Sequence, residues 1–257
     1  MKIATWNVNG IRARQLEFDL WVRQTRPDVI CLQEIKALAE QVPPALCELE
    51  GYWCAWHGAK GYSGVGLHIA KSISPERPQV FHPPFDHESR IVAARLPGFT
   101  VISVYVPNGG KDLAAKMEFL HQLHRWTAAR VAEGEEVIIC GDLNVARADI
   151  DVHPKQRDPT AIGQLPQERA LFDAILAAGL RDVTRDLDPD NDRLFTWWAP
   201  WRNLRQRNIG WRIDYLLATA GWATRAATSR ADREFGSSDH APLVTSFEPA
   251  AAQSRIP

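Results

Sequence analysis

The chain has 257 residues, the upper end of what one domain holds and an ordinary length for a large α/β sandwich or barrel. Its 45% hydrophobic and 24% charged residues describe a soluble globular protein, and no apolar stretch is long enough to span a membrane. A formal net charge of −1 excludes a global polycation, so any bound polyanion must be met by local basic patches. The four cysteines, Cys31, Cys47, Cys54 and Cys140, contain no C-x-x-C pair, and Cys31 and Cys140 lie inside apolar runs. This usage predicts buried free thiols in a reducing compartment rather than disulfides or a zinc site. With a first strand starting at Lys2 and no signal peptide expected, the predicted location is the cytoplasm.

In chain order, Lys2 to Trp6 alternates as a short strand that ends at Asn7-Val8-Asn9-Gly10. Arg12 to Thr25 has helical period with Pro27 just beyond it, and Val29-Ile30-Cys31-Leu32 is a buried strand ending at Gln33-Glu34. Two strands separated by one helix predict a parallel pair with a right-handed crossover. Their C-terminal ends then lie together, which puts Asn7 near Glu34, and open α/β sheets bind ligands at such ends.

Gly61 to Ile69 begins as a glycine-rich turn and runs into a strand; without the lysine and helix of a P-loop it does not read as a nucleotide cradle, and no nucleotide cofactor is expected. Arg90 to Arg95 and Val101 to Val106 read as an antiparallel pair joined at Pro97-Gly98, the second ending in Tyr105-Val106-Pro107-Asn108. Lys111 to Arg130 is a long amphipathic helix with Leu113, Met117, Leu120 and Leu123 expected in the core. Lys111 and Lys116 at its start are either a solvated face or a phosphate contact.

Val137-Ile138-Ile139-Cys140-Gly141-Asp142-Leu143-Asn144 is the most informative stretch. Four apolar residues in a row predict a strand covered on both faces. Asp142 and Asn144, two residues apart, point to the same side of extended backbone. A carboxylate and an amide leaving a buried sheet edge together are costly unless something binds there. Asp149 and Asp151 follow as expected surface carboxylates, then a helix from Glu168 to Ala178 stopped by Gly179. Phe195 to Arg212 interleaves Trp197, Trp198, Trp201 and Trp211 with Arg202, Arg205, Arg207 and Arg212 and contains no acid. That mixture suits a nucleic-acid surface, where arginine holds phosphates and rings receive unstacked sugar or base. Trp211 to Leu217 is a strand with Asp214 among apolar neighbours, and Ser238-Asp239-His240 precedes the final strand. An Asp-His pair with another buried Asp to orient the imidazole is the wiring of a catalytic histidine. No repeat or linker appears, so residues 1–249 are expected to form one domain and 250–257 a disordered tail.

Strand ends thus supply Asn7, Glu34, Tyr105, Asp142, Asn144, Asp214, Asp239 and His240. This oxygen-rich set, free of thiolate, favours a hard cation, Mg²⁺ with Mn²⁺ as substitute, over zinc. Carboxylates, a hard cation and a histidine suit attack of water on a phosphate ester.

Trp6-Asn7-Val8-Asn9-Gly10-Ile11-Arg12, Leu32-Gln33-Glu34-Ile35-Lys36, Gly61-Tyr62-Ser63-Gly64-Val65, Tyr105-Val106-Pro107-Asn108, Gly141-Asp142-Leu143-Asn144, Gly210-Trp211-Arg212-Ile213-Asp214-Tyr215 and Ser238-Asp239-His240-Ala241-Pro242 together resemble the motifs of the exonuclease III family of abasic-site endonucleases, in order from Lys2 to Phe247. The resemblance implies an α/β, four-layer αββα sandwich, the endonuclease/exonuclease/phosphatase fold, in which two mixed sheets pack face to face between helices.

It also implies the roles of individual residues. Glu34, helped by Asn7, holds the catalytic Mg²⁺, with Asp142, Asn144 and His240 close enough to share the metal site. Asp142 is the general base, Asn144 positions the water, and His240, oriented by Asp214, contacts a non-bridging phosphate oxygen. Tyr105 approaches the phosphate or the leaving oxygen, and Asp239 completes the acidic cluster. Trp211, Trp197 and Trp201 line a pocket for a flipped-out abasic sugar, where shape selects damage. Lys36, Arg90, Asn108, Lys111, Arg202, Arg205 and Arg212 are the expected DNA contacts. The partner implied is double-stranded DNA with abasic or blocked 3′ ends, bound by a monomer. Ser89 stands where a glycine is frequent in the family, and the Ala199-Pro200-Trp201-Arg202 segment varies there. Phosphoinositide phosphatases and other phosphoesterases share this core, and RNA-binding regulators share the fold without the catalytic positions, every one of which retains its chemistry here.

Overall fold

Uninterrupted apolar runs in this chain become strands buried on both faces. A computed structural model describes residues 1–59 and 61–249; the tail expected at 250–257 lies outside the described residues. In the first half, β1 (Lys2–Asn7), α1 (Gln15–Thr25), β2 (Val29–Gln33), α2 (Pro44–Cys47), β3 (Tyr52–Ala59) and β4 (Tyr62–Ala70) precede β5 (Gln79–Phe81), β6 (Ile91–Leu96) and β7 (Phe99–Tyr105). The second half runs α3 (Leu113–Ala132), β8 (Val137–Asp142), α4 (Pro166–Ala177), β9 (Leu180–Asp182), α5 (Val183–Leu187), β10 (Asp214–Thr219), α6 (Ala220–Ala223), β11 (Ala226–Ala231) and β12 (Leu243–Phe247).

The strands form two mixed six-stranded sheets, ordered β11-β12-β1-β2-β4-β3 and β5-β6-β7-β8-β10-β9. The expected parallel pair is β1 with β2, placing Asn7 opposite Gln33, and the expected hairpin is β6 with β7, closing with Leu96 opposite Phe99. Alternate residues of the two sheets meet in a shared core that includes Ile3, Cys31, Leu67, Ile138, Cys140 and Leu216. All four cysteines are free, as expected. The opposite face of the first sheet packs Trp6, Ile30 and Leu32 against Phe18, Trp21 and Val22 of α1. The opposite face of the second packs Ile102, Ile139 and Leu217 against Phe119, Leu120 and Leu123 of α3 and Phe172 of α4. These are the four layers of an αββα sandwich. Among the described residues no helix is long and apolar enough to cross a membrane.

Two helices depart from the sequence pattern. Residues 11–14 form turns and α1 starts only at Gln15, because Asn9 and Gly10 adopt left-handed conformations that break the chain away from β1. In α3, Leu113 and Met117 are only half-buried; the buried stripe is Lys116, Phe119, Leu120, Leu123 and Thr127. Lys116 is therefore neither a solvated lysine nor a phosphate contact. Its Nζ lies 2.5 Å from Glu168 Oε1 of α4 and donates to the Asn144 carbonyl at 2.7 Å. Burial pulls its pKa below the ordinary lysine value, against the opposing charges of Glu168 and Asp142.

This fully buried pair welds α3 to α4 beneath the loop that carries Asn144. Lys116→Met is expected to lower the unfolding free energy by about 3–5 kcal/mol, because it strands a buried carboxylate. The double variant Lys116→Met/Glu168→Gln should recover part of that loss, which urea denaturation will measure.

Candidate active site

Side-chain parity carries the inward-facing rows of the second sheet from core to chemistry. Val101, Ile138 and Ala218 lie in the shared core; farther along, Tyr105 is register partner of Asp142, and Asp142 of Asp214. Gly141 allows β8 to approach β7 here: at its φ of +153°, a Cβ would stand 1.9 Å from the Val104 carbonyl oxygen. In the first sheet the corresponding row ends at Asn7. Just beneath it, Thr5 donates to Gln33 Oε1 at 3.1 Å, Gln33 to Ser103 Oγ at 3.1 Å, and Ser103 to the Leu32 carbonyl at 3.0 Å. This buried polar chain ties the sheets together where the apolar core stops.

Asn7 stands at the centre of the site. Its Nδ2 donates to Glu34 Oε1 and to Asp142 Oδ2, both at 2.9 Å, while its Oδ1 accepts from the Asn9 backbone N–H. Asp142 also accepts from the Asn144 backbone N–H at 2.9 Å. The Asn144 amide donates to the Val106 carbonyl at 2.9 Å. Glu34 and Asn144 both hold left-handed backbone, at φ values of +50° and +52°. Such conformations cost free energy and persist when surrounding contacts fix them.

His240 Nδ1 lies 2.8 Å from Asp214 Oδ2, and its Nε2 3.8 Å from Asp142 Oδ2. Burial alone would lower the imidazole pKa, but the Asp214 and Asp142 charges outweigh it and hold it at about 10, so this ring is a cation at neutral pH. Asp142 moves up to about 7, chiefly through burial and through the charges of Asp214 and Glu34, with His240 opposing. For Glu34, burial is outweighed by hydrogen bonds from Asn7 and Lys36, and its pKa falls. Burial, then the nearby Glu34 and Asp142 charges, raise Tyr105 far enough to keep its hydroxyl protonated.

Asp239 completes the group, accepting from Asn9 Nδ2 at 2.8 Å and Trp197 Nε1 at 3.1 Å. A cleft of about 350 Å³ collects these groups, walled by Trp197 and Trp211 with ring centroids 5.6 Å apart. Ligand atoms of Glu34, Asp142 and His240 all lie within 4.8 Å of one another. The carboxylates of Glu34, Asp142 and Asp239 line the cleft beside His240, whose other ring nitrogen engages Asp214. A hard, oxygen-seeking cation fits that donor set.

Asn7, Glu34, Tyr105, Asp142, Asn144, Asp214, Asp239 and His240 are thus together, as the sequence reading expected. Sequence reasoning missed the residues that hold them. Ser238 Oγ donates to the Asn7 carbonyl at 2.7 Å and accepts from the His240 N–H, Thr196 Oγ1 accepts from the Asp214 N–H, and Trp6 Nε1 donates to the His240 carbonyl. Asn9 was visible, two residues beyond Asn7, but its bond to Asp239 crosses 230 positions.

Three expected phosphate contacts are corrected. Arg212 is 1% exposed and lies in an ion-pair cluster, its Nε 2.7 Å from Asp151 and its Nη2 2.7 Å from Asp182. Asp151 is likewise buried rather than on the surface, and Arg185 also reaches it, at 2.7 Å. Arg90 is buried between the Tyr62 and Tyr105 rings and bonded to Glu88. Half-buried Arg205 spends its guanidinium on the carbonyls of Arg233, Phe235 and Ser238, clamping the loop that leads to His240. Lys111, Asn108, Trp201 and Arg202 are exposed, whereas half-buried Lys36 is held by Glu34 at 2.8 Å and Asn9 at 2.6 Å.

Arg212→Ala is therefore expected to cost about 3–5 kcal/mol of stability in chemical denaturation, because it leaves two buried carboxylates short of a partner. A second expectation concerns pH. His240 has a folded pKa above its ordinary 6.5, so its contribution to stability is full below 6.5 and is lost as pH rises through about 10. Urea unfolding with a chelator present should show that decline, reduced in His240→Gln, whose side chain does not titrate.

The geometry agrees with what the chain is similar to. It is 31% identical over 262 residues to the DNA repair nuclease APEX1 of Danio rerio, covering 95% of this chain and 81% of that one. An exodeoxyribonuclease of Bacillus subtilis is 32% identical over 255 residues, covering 95% of this chain and 98% of the relative. The structure of an AP endonuclease from Archaeoglobus fulgidus superposes with a TM-score of 0.88 at 31% identity, covering 97% of this chain and all of that one. Residues 4–240 match the Endonuclease/Exonuclease/phosphatase family, and the chain belongs to it.

Proposed function

We propose that this protein is a Mg²⁺-dependent DNA repair nuclease that hydrolyses the phosphodiester 5′ to abasic sites in duplex DNA and processes blocked 3′ ends. The observation that carries the reading is the imidazolium of His240, held by Asp214 and set 3.8 Å from Asp142 in a cleft that ends the inter-sheet core. The names of the repair nuclease, exodeoxyribonuclease and AP endonuclease among its relatives support it.

Glu34 and Asn7 would hold the cation, with Asp142, Asn144, Asp239 and His240 around it. When bound it would offset charge on the phosphoryl oxygens. Asp142, with a pKa near 7, is matched to accept the proton of the attacking water at neutral pH. The Asn144 amide orients that water. His240 donates from Nε2 to a non-bridging oxygen, where negative charge builds up as the P–O3′ bond breaks, and Asp214 keeps the ring cationic. Tyr105, protonated, donates its hydroxyl to the phosphate. Trp197 and Trp211 form the wall against which an extruded abasic sugar rests, while Lys36, Asn108, Lys111, Trp201 and Arg202 meet the DNA backbone around the cleft. The protein is read as a cytoplasmic monomer.

The test is nicking of a duplex carrying a tetrahydrofuran abasic analogue, with and without Mg²⁺, followed by product analysis on 3′-phosphate and undamaged ends. Asp142→Asn and His240→Ala should each slow single-turnover cleavage by about 10²–10⁴-fold, while DNA affinity in a binding titration stays within a few-fold, since both act on the reacting phosphate. Parallel loss of affinity and rate would count against these roles, and no Mg²⁺-dependent nicking by the wild type would overturn the reading.

A further inference from the structure

A second group of potential ligands lies at the open edge of the sandwich, outside the site described above. His57 is on β3, the edge strand of the first sheet, and His82 and Asp86 follow β5, the edge strand of the second. One ligand atom from each residue lies within 4.8 Å of those of the other two. His57 Nε2 is 2.5 Å from Asp86 Oδ2, and the two imidazole rings have centroids 3.8 Å apart.

From these three residues we infer a binding site for a borderline transition dication of the Zn²⁺ class, which would cross-link the edges of the two sheets.

Two features prepare the cluster for a metal. His82 Nδ1 is 2.9 Å from the Ile91 carbonyl, an oxygen that can only accept. The proton is therefore on Nδ1, and Nε2 presents its lone pair. A ring nitrogen bonded to a backbone carbonyl is how proteins orient metal-ligating histidines. Asp86 is fixed as well: its Oδ1 accepts the backbone N–H groups of Arg90 at 2.8 Å and Ile91 at 3.0 Å, leaving Oδ2 for a ligand.

The donor set decides the class of ion. Two imidazole nitrogens and one carboxylate oxygen match the three-ligand zinc pattern with one position open to water. The oxygen-rich set around Glu34 and Asp142 suits a harder ion, so excess Mg²⁺ separates the two sites. Zinc distances of about 2.0–2.1 Å require the His57–Asp86 contact to open by roughly 1 Å, with a proton displaced from between them. Both side chains border solvent, with 28% and 8% exposure.

The experiment uses untagged full-length protein, stripped with a chelator and held in excess Mg²⁺. Titration with Zn²⁺ by calorimetry, and with Co²⁺ by visible absorption, is compared between wild type, His82→Gln and His57→Gln/His82→Gln. The expected result is one Zn²⁺ per wild-type chain. Affinity should fall by more than the roughly 10–100-fold that loss of an outer-shell partner costs in His82→Gln, with no binding in the double variant. Zn²⁺ should raise the Tm of the wild type and not of the double variant, whose metal-free Tm reports its folding independently. Equal Zn²⁺ uptake by wild type and double variant, or none by either, would overturn the assignment and leave a His57–Asp86 ion pair with a stacked imidazole. No nuclease activity is read, so this result stands apart from that of the nicking assay.

Discussion

Two carboxylates placed side by side on neighbouring strands are the constraint around which this structure is arranged. Asp142 and Asp214 are register partners in β8 and β10, both buried, and like charges directly opposite one another destabilise a sheet. The imidazolium of His240 resolves the conflict by bonding to one and facing the other. The remaining architecture brings that ring to that place. The final loop is clamped through Arg205, pinned to β1 through Ser238, and roofed by the Trp6 indole. A buried ion cluster of this kind contributes little to net stability compared with an apolar replacement. Its presence where the core ends marks free energy given over to chemistry.

Much of the fold was legible because it rests on local pattern. Val29-Ile30-Cys31-Leu32 and Val137-Ile138-Ile139-Cys140 are continuous apolar runs, and each lies in a strand buried throughout. The convergence of Asn7 with Glu34 followed from one rule about parallel strands, and that of Asp142 with His240 from motifs that match a known family in order. The helix from Leu113 was placed correctly within two residues. Its facing was right at Leu120 and Leu123 and missed Lys116, which occupies a core position that periodicity reserves for apolar side chains. The partner Glu168, 52 positions away, and the Asn144 carbonyl make that tolerable.

The arginines mark the limit of such reading. Composition distinguishes a segment rich in tryptophan and arginine from its neighbours, but not an arginine facing solvent from one facing a buried acid. Arg212 and Arg202 look alike in sequence. One is paired with Asp151 and Asp182 inside the protein, and the other is exposed. Asp151 looked like an ordinary loop acid for the same reason. Neither of a buried pair can be recognised until the other is in place. Arg212 was misread through this ambiguity, whereas Asn7, Glu34, Asp142, Asp214 and His240 converge because backbone geometry sets their places at or beside strand ends.

The antiparallel pairing of β1 with β12 joins the first strand of the chain to the last, with the Met1 amino group donating to the Phe247 carbonyl at 2.8 Å. On the ribosome, β1 therefore waits with one edge unpartnered until β12 has emerged, and a sheet closed by contacts so distant along the chain assembles slowly. His240 arrives three residues ahead of the closing strand. Sealing of that edge and delivery of the imidazolium that bridges Asp142 and Asp214 thus belong to the same event.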